Sequence, residues 1–258
     1  MSNELAGDLR RGIDRRELEL HFQPKVRAAD LRVVGCEALV RWRHPEWGLL
    51  GPSAFLGVAE AEQMIGEITS EVIRMSMLAS AHWRRNGWEG GLSVNLSAVD
   101  LNDSGLPDRI RTLADDADAD LDAVTFEISE DFVLAGGCDP APVIAELASV
   151  AGALSLDDFG AGATSLAHLC DLEIDEIKLD RSLVSRVESS AKSRIVIDSI
   201  IEMAHRIGLT VVAEGIESRR CAEFLRTTGC DELQGFFFGR PVPDPEFTVF
   251  GGEPALAA

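Results

Sequence analysis

The sequence predicts a parallel α/β barrel, with a doubly wound open sheet as the other candidate. Short β-type segments alternate with amphipathic helical segments along nearly the whole chain of 258 residues. Several of these strands also end in a polar or charged residue, and the carboxyl ends of barrel strands meet at one mouth. No linker or low-complexity stretch divides the chain, so we expect a single domain over residues 1–258 with a core at about 10–248.

The composition describes a globular protein that does not bind nucleic-acid polymers. A formal net charge of −20 opposes a polyanionic partner, although a small phosphate ligand remains compatible if cations hold it. No apolar run approaches the roughly 20 residues that span a bilayer, and no signal-peptide core is present, so we expect a cytoplasmic chain without a membrane segment. The five scattered cysteines lack a C-x-x-C pair and predict reduced thiols.

The predicted elements begin with a hairpin, because two alternating segments flank a short turn. Strands are predicted at 18–26, 33–41, 92–97, 124–128, 153–158, 173–179, 210–214 and 232–235. Helices are predicted at 10–17, 52–65, 69–86, 140–150, 165–170, 193–207 and 218–228. The acidic run at 114–122 is predicted to be a solvated surface, and the tail after residue 250 is expected to fray.

The strand that leads to Asp157 and Asp158 shows the layout most clearly. Leu154 and Leu156 share one face of it, and the two adjacent carboxylates follow before a glycine-rich turn. Adjacent carboxylates repel each other unless protons or cations lie between them. For this pair alone, a solvated loop or a helix N-cap is an equally ordinary interpretation.

The same layout recurs on five other strands, and this recurrence favours a site. The inward-facing polar residues near the strand ends are Glu37, Asn95, Glu127, Asp157, Lys178 and Glu214. Burying several carboxylates together is prohibitive without cations, and Asp, Glu and Asn oxygens suit Mg²⁺ or Mn²⁺ rather than zinc. Paired ions need a bridging carboxylate, which the Asp157–Asp158 pair supplies, and such sites hydrolyse phosphate esters.

Other polar residues have plainer explanations. Arg41 shares a face with Glu37 and is a candidate phosphate clamp, with a structural salt bridge as the alternative. His21 and His44 are interpreted as structural or rim residues rather than ligands. The Gly160-x-Gly162 segment lacks the third glycine of a dinucleotide-binding fingerprint.

The ordered set of these motifs resembles the EAL domains, which are phosphodiesterases specific for cyclic-di-GMP. The resemblance extends from about residue 21 to residue 243, which is nearly the whole chain. The motifs on which the resemblance rests are Gln23-Pro24, Glu37-Ala38-Leu39 within VGCEALVRWRHPEWG, Asn95-Leu96-Ser97, Glu127-Ile128-Ser129-Glu130, Asp157-Asp158-Phe159-Gly160, Lys178-Leu179-Asp180, Ala213-Glu214-Gly215, Gln234-Gly235 and Arg240-Pro241.

The resemblance implies a TIM-like (β/α) barrel whose first strand runs antiparallel to the others. It further implies two Mg²⁺ or Mn²⁺ ions held by Glu37, Asn95, Glu127, Asp157, Asp158 and Glu214. Glu37, Lys178 and Glu214 are the implied catalytic residues, with Lys178 holding the attacking water. Substrate contacts are implied for Gln23, Pro24, Leu39, Arg41, Asp180, Gln234, Phe236 and Arg240. Glu130 and Glu217 are expected to support the loops around the site.

The reaction implied is in-line attack of ion-activated water on one phosphodiester of cyclic-di-GMP, which opens the ring to linear pGpG. The expected partners are the dinucleotide, a second copy of the chain in a homodimer, and further sensory or regulatory domains or proteins. One segment departs from the family: DDFGAGATSL stands where the family usually has DDFGTGYSSL. This departure motivates an alternative hypothesis, a catalytically impaired domain that acts as a cyclic-di-GMP receptor or an interaction module.

Overall fold

The computed structural model describes residues 2–130, 141–161, 169 and 172–244. Its strands are β1 Leu18–Arg27, β2 Val33–His44, β3 Gly48–Leu50, β4 Gly91–Leu96, β5 Val124–Ser129, β6 Ala153–Phe159, β7 Glu176–Leu179, β8 Thr210–Ala213, β9 Glu232–Gln234 and β10 Val242–Pro243. Its α-helices are α1 Ser2–Asp14, α2 Leu56–Ala61, α3 Ile65–Arg85, α4 Ala98–Leu101, α5 Leu106–Ala117, α6 Ala141–Ala148, α7 Arg181–Val184, α8 Ala191–Arg206 and α9 Arg219–Thr228.

Eight of these strands close into a barrel. The order around it is β1, β9, β8, β7, β6, β5, β4 and β2, and the pairing of β2 with β1 closes the ring. Strand β1 is antiparallel to both of its neighbours, whereas the pairs from β2 through β4 to β9 are parallel. The expected barrel with an antiparallel first strand is therefore confirmed, and the open sheet is wrong.

The apolar core lies between the barrel and the helices that surround it. Each central strand turns alternate aliphatic or aromatic residues outward, and these side chains are almost completely buried. Phe126 and Ile128 on β5 and Leu154 and Leu156 on β6 are examples. The opposite parity points into the barrel and carries the polar residues, so the packing that builds the shell also fixes which side chains face the interior.

Two of the predicted helices differ from the structure. The helix predicted at 52–65 is broken into a 3₁₀ turn at Pro52–Ala54 and the short helix α2, and Gln63 then takes the left-handed conformation at φ 58° before α3 begins. Hydrophobic periodicity could not reveal this break, because glutamine rarely adopts the left-handed backbone conformation. The N-terminal helix predicted at 10–17 instead covers Ser2–Asp14 and ends before Arg16, at φ 59°.

Two further predictions fall mostly or wholly outside the described residues: the helix at 165–170 and the tail after residue 250. None of the helices in the described part of the chain combines the length and the hydropathy that a bilayer crossing requires.

Candidate active site

The carboxyl-terminal mouth of the barrel is organised around the ammonium group of Lys178. This side chain extends from β7 into the interior and is completely buried. Its Nζ lies 2.6 Å from Glu127 Oε2 and 2.6 Å from Glu214 Oε1, with Asp157 Oδ1 at 3.3 Å and Glu37 Oε2 at 3.9 Å. Carboxylates from four separate strands thus surround one cation, as the parity of the strands predicts.

Two amide side chains hold the Glu37 carboxylate from both sides. Asn95 Nδ2 donates to Glu37 Oε1 at 2.7 Å, and Gln234 Nε2 donates to Glu37 Oε2 at 2.6 Å. Gln234 Nε2 also lies 3.3 Å from Gln23 Oε1, while Gln23 Nε2 donates to the Gly239 carbonyl at 3.1 Å. The chain of amides fixes the orientation of Glu37 before any ligand arrives.

The charges at the mouth do not balance, and the pKa values show it. Burial alone would raise the pKa of Glu37, but Lys178 and the Asn95 and Gln234 hydrogen bonds hold it below its ordinary value. Burial raises the pKa of Glu127 well above its ordinary value and the pKa of Glu214 to about 7, although Lys178 opposes both shifts. The Lys178 ammonium therefore does not offset the effect of burial on the pKa values of Glu127 and Glu214.

The donor set fits a hard divalent cation. Glu127 Oε1 is buried and has no hydrogen-bond partner, so it is an oxygen ligand available to a cation. In the described ranges no three Asp, Glu, His or Cys side chains form a ready-made ligand cluster, because the Lys178 ammonium lies among the carboxylates. A cation here would be bound by carboxylate and amide oxygens that already converge.

The second aspartate of the pair lies at the edge of the mouth rather than at its centre. Asp158 is exposed and takes a left-handed conformation at φ 60°, and its N–H donates to Asp157 Oδ1 at 2.8 Å. The next turn begins at Gly160, whose N–H donates to the buried Glu130 Oε2 at 3.1 Å. Residues 162–168 lie outside the described residues.

One cavity of about 270 Å³ opens directly over this cluster. Glu37, Asp157, Glu214, Gln234 and Gln23 form its acidic and amide floor. Its walls come from six further residues, which are Leu39, Arg181, Gly215, Glu217, Gly235 and Phe236.

The rim of this cavity offers one aromatic face and two charged groups. Phe236 is exposed, and the Arg240 guanidinium lies 4.3 Å from the centroid of its ring. Arg181 Nη2 lies 2.7 Å from Glu217 Oε1, and both side chains are exposed. The stem of Arg181 crosses Gly215, where an added Cβ would lie 2.3 Å from Arg181 Cγ. A planar base can stack on Phe236, and a phosphate can meet either arginine.

A second cavity of about 400 Å³ adjoins the first and shares Glu37, Leu39 and Asp157 with it. It enters the space between β2, α2, α3 and β4, and its walls are mostly aliphatic. Asn95, Ser97, Ser129 and Asp158 contribute polar atoms near the shared edge. Both cavities therefore open beside the carboxylate cluster.

Three of the expected substrate-binding residues lie farther from the cluster. Arg41 lines neither cavity, its Nη1 donates to the Val40 carbonyl at 2.9 Å, and burial lowers its pKa. Asp180 caps α7 by accepting from the Ser182 N–H at 2.8 Å. Pro24 is buried against Gly239. His21 and His44 are buried outside the cluster, where His21 contacts Glu19 and His44 accepts from the N–H groups of Glu46 and Trp47.

One cavity residue was missed in the sequence interpretation. Arg181 follows Asp180 directly and lines the smaller cavity, but a lone arginine at the start of a helix gives no periodic signal. The tight glycine at residue 215, which leaves room for the arginine stem, is the sequence feature that could have suggested it.

Comparison with known proteins identifies the family of the chain. The EAL domain family model matches residues 6–241. The chain is 36% identical over 93% of its length to the cyclic di-GMP phosphodiesterase NbdA of Pseudomonas aeruginosa, and 32% identical over 93% to the cyclic di-GMP phosphodiesterase RocR of the same organism. It covers 31% and 61% of those two relatives, so the first is about three times as long as the matched region.

Solved structures show the same architecture. The PaMucR phosphodiesterase in complex with c-di-GMP superposes with a TM-score of 0.89 at 33% identity, covering 95% of this chain and 99% of the other. The FimX EAL domain from Pseudomonas aeruginosa bound to c-di-GMP has a TM-score of 0.84 at 22% identity, covers 92% of this chain and 96% of the other, and shows the fold alone. The chain belongs to the EAL domain family.

Proposed function

We propose that the chain is a divalent-ion-dependent phosphodiesterase that opens cyclic-di-GMP to linear pGpG. The observation that carries this proposal is the convergence of Glu37, Glu127, Asp157 and Glu214 on a single buried lysine beneath an open cavity. The names of NbdA and RocR, and the c-di-GMP bound in the PaMucR structure, support the same substrate.

The residues present fit two Mg²⁺ or Mn²⁺ ions. The ligands would be Glu37, Asn95, Glu127, Asp157, Asp158 and Glu214, all of which carry oxygen donors at the mouth. When bound, the ions would lower the pKa of water and neutralise charge on the phosphoryl group. The net charge of −20 makes such local cations necessary for an anionic substrate.

The side chains of the chain have separate tasks in this mechanism. We assign to Lys178 the task of holding the attacking water in line with the phosphodiester. In this structure its Nζ lies beneath the cavity, 2.6 Å from both Glu127 and Glu214. Glu214 would serve as a carboxylate ligand of an ion, and its pKa of about 7 belongs to the site without ions. Asn95 and Gln234 keep Glu37 in one orientation throughout.

The two cavities account for the two bases of the dinucleotide. In this proposal one guanine stacks on Phe236 near Arg240, and the other enters the mostly aliphatic cavity between β2 and α3. The phosphates then lie above the carboxylate floor and within reach of Arg181. Leu39, which lines both cavities, separates the two bases.

A chromatogram of cyclic-di-GMP incubated with the protein tests the proposal. We expect pGpG with Mn²⁺ or Mg²⁺ in excess and intact dinucleotide in EDTA. Intact substrate with both ions in excess would contradict it. Tight dinucleotide binding in EDTA, without product when the ion returns, would instead identify the receptor function that the altered DDFGAGATSL segment suggests.

We also propose that the active species is a homodimer and that further domains control it. The length of the curated relatives supports the further domains, since this chain covers 31% of NbdA. The homodimer is what the resemblance to the family implies. Sedimentation velocity of the chain with and without dinucleotide tests the dimer, and a single monomeric boundary in both states would contradict it.

A further inference from the structure

A second polar layer fills the barrel interior below the mouth. We call the polar residues at the mouth the upper layer. On each strand, the members of the second layer lie two residues away from the upper layer, on the same face and one step lower. Its members include Lys25, Ser93, Ser155, Glu176 and Glu232. The interior of such barrels is usually filled by branched aliphatic side chains, so charged groups at this depth need an explanation.

Lys25 is the cation of this lower layer. Its side chain is 4% exposed, its Nζ donates to Ser93 Oγ at 2.8 Å, and Glu232 Oε2 lies 3.7 Å away. Burial alone would lower the pKa of Lys25, but the carboxylates of Glu176 and Glu232 outweigh burial and raise it. The group is therefore a permanent ammonium that joins β4 to β9 through the interior.

The partners of Lys25 stand on the same strands as the two amides that hold Glu37. Ser93 precedes Asn95 by two residues on β4, and Glu232 precedes Gln234 by two residues on β9. Lys25 itself pairs with Gln234 in the register of β1 and β9. A cross-link at the lower level thus sets the separation of the two strands that carry the amide donors.

Gly35 leaves room for the Lys25 side chain. It pairs with Lys25 in the register of β1 and β2 and lies two residues before Glu37. A Cβ added to Gly35 would lie 3.5 Å from Lys25 Cε and 2.9 Å from the Gly91 carbonyl oxygen, a backbone contact that no rotamer change relieves. The Lys25 stem therefore passes over the backbone of β2, one step below Glu37.

The use of lysine along the chain supports a specific role. The sequence contains three lysines, Lys25, Lys178 and Lys192, and the first two lie inside the barrel. The exposed basic residues are otherwise arginines, as at Arg43 and Arg206. A compact ammonium on a flexible stem can be enclosed by carboxylates and hydroxyls where a planar guanidinium cannot.

We propose that Lys25 is a positioning residue for divalent-ion binding: by joining Ser93 to Glu232 it fixes the strands whose Asn95 and Gln234 orient Glu37. The inference rests on the proposed function, because it concerns the ions of that same site. Residues that orient a metal ligand typically change metal affinity 10- to 100-fold when they are lost.

Calorimetric titration of the full chain with Mn²⁺, in the absence of substrate, tests this role. We expect Lys25→Met to weaken Mn²⁺ binding about 10-fold and Ser93→Ala to weaken it about threefold, the loss of one modest hydrogen bond. Lys192→Met, on the exposed face of α8, is the matched control and should leave the affinity unchanged. The side-chain amide NMR signals of Asn95 and Gln234 should shift in Lys25→Met and not in the control.

A merely structural role gives a different result. Lys25→Met would then lower the melting temperature while the Mn²⁺ affinity and the two amide signals stayed at their wild-type values, and this outcome would overturn the inference. If Lys25→Met does not fold, Ser93→Ala decides by the same criteria. Wild-type protein that neither binds Mn²⁺ nor opens the dinucleotide contradicts the proposed function, whereas wild-type turnover with unaltered affinity in the variants contradicts this inference alone.

Discussion

The two polar layers inside the barrel each contain one lysine, but they differ in how that lysine is surrounded. In the upper layer Lys178 faces four carboxylates at 2.6–3.9 Å, two of them in direct contact. In the lower layer Lys25 has a serine hydroxyl at 2.8 Å and a carboxylate at 3.7 Å. The lower layer has two carboxylates, Glu176 and Glu232, for its one ammonium, and Ser155 Oγ and Glu176 Oε1 have no hydrogen-bond partner. It is nonetheless nearer to charge balance than the upper layer, which has four carboxylates for one ammonium.

This difference separates a site from its support. An excess of buried negative charge costs free energy that the protein alone does not recover, so it persists only where a ligand offsets it. A nearly balanced layer needs no such ligand and can serve to hold strands in place. Substitutions in the upper layer should therefore act on chemistry, and matched substitutions in the lower layer should act on ion affinity or stability.

The largest expected effect follows removal of the upper lysine. Lys178→Ala should lower turnover of cyclic-di-GMP by about 10³-fold, since it removes the donor that holds the attacking water. Glu37→Ala should act similarly, and circular dichroism with Mn²⁺ present should show that both variants remain folded. Lys192→Ala is the control for loss of a lysine. Near-normal rates in either variant would refute the assigned roles.

The upper layer should also make the ion-free protein sensitive to pH. Burial raises the pKa of Glu214 from its ordinary value of 4.5 to about 7, so the folded chain holds a proton that the unfolded chain has lost. The contribution of Glu214 to the free energy of unfolding is therefore greatest below pH 4.5, and this contribution is lost as the pH rises through 7. Thermal melts in EDTA between pH 5 and 8 should show a falling melting temperature.

Glu214→Gln provides the control for this pH dependence, because it cannot ionise. The variant should show a shallower decline between pH 5 and 7, and excess Mn²⁺ should flatten the decline in the wild type. A wild-type melting temperature that rises over this range in EDTA would show that another group dominates.

Neutralising one carboxylate in each layer should have unequal effects. Burial raises the pKa of both Glu214 and Glu232, and the shift at Glu214 is the larger one. At pH 8 in EDTA, Glu214→Gln should therefore raise the free energy of unfolding by about 1 kcal/mol and Glu232→Gln should raise it by less, measured by urea unfolding. A larger gain from Glu232→Gln would remove the distinction between the layers.

The smallest expected effects concern the rim, which lies outside both layers. Phe236→Ala and Arg181→Ala should each raise KM for the dinucleotide up to about 10-fold, the range of one base stack or one exposed ionic contact. The value of kcat should stay within about threefold, because neither residue contacts the carboxylate floor. A variant that lowers kcat at unchanged KM would move that residue into the chemical step.

The alternation of polar and apolar residues predicted the fold and the carboxylate cluster because both depend on the same parity. Glu37, Asn95, Glu127, Asp157, Lys178 and Glu214 all face the interior as expected. Parity gives direction but not distance, so the sequence could not show that Lys178 lies among the carboxylates. Nor could it show that Gln234 and Asn95 hold Glu37 from opposite sides.

The parts that sequence could not predict depend on contacts between distant segments. The helix break at Gln63 comes from a left-handed backbone conformation, which the residue types around it do not predict. Arg181 reaches the cavity only because the distant Gly215 leaves space for its stem. The sequence could have indicated the lower layer, because Gln23 and Lys25 share a face of β1. The contacts of this layer, however, depend on the distant strands that close the barrel around it.

The placement of the lysines has a practical consequence for attaching the protein to surfaces and dyes. Lys192 on α8 is the one lysine side chain that solvent reaches, and the other two are enclosed by the barrel wall. Amine-reactive reagents will therefore modify the lysines of the folded chain at Lys192. Reaction at the two enclosed amines will report that the barrel has opened.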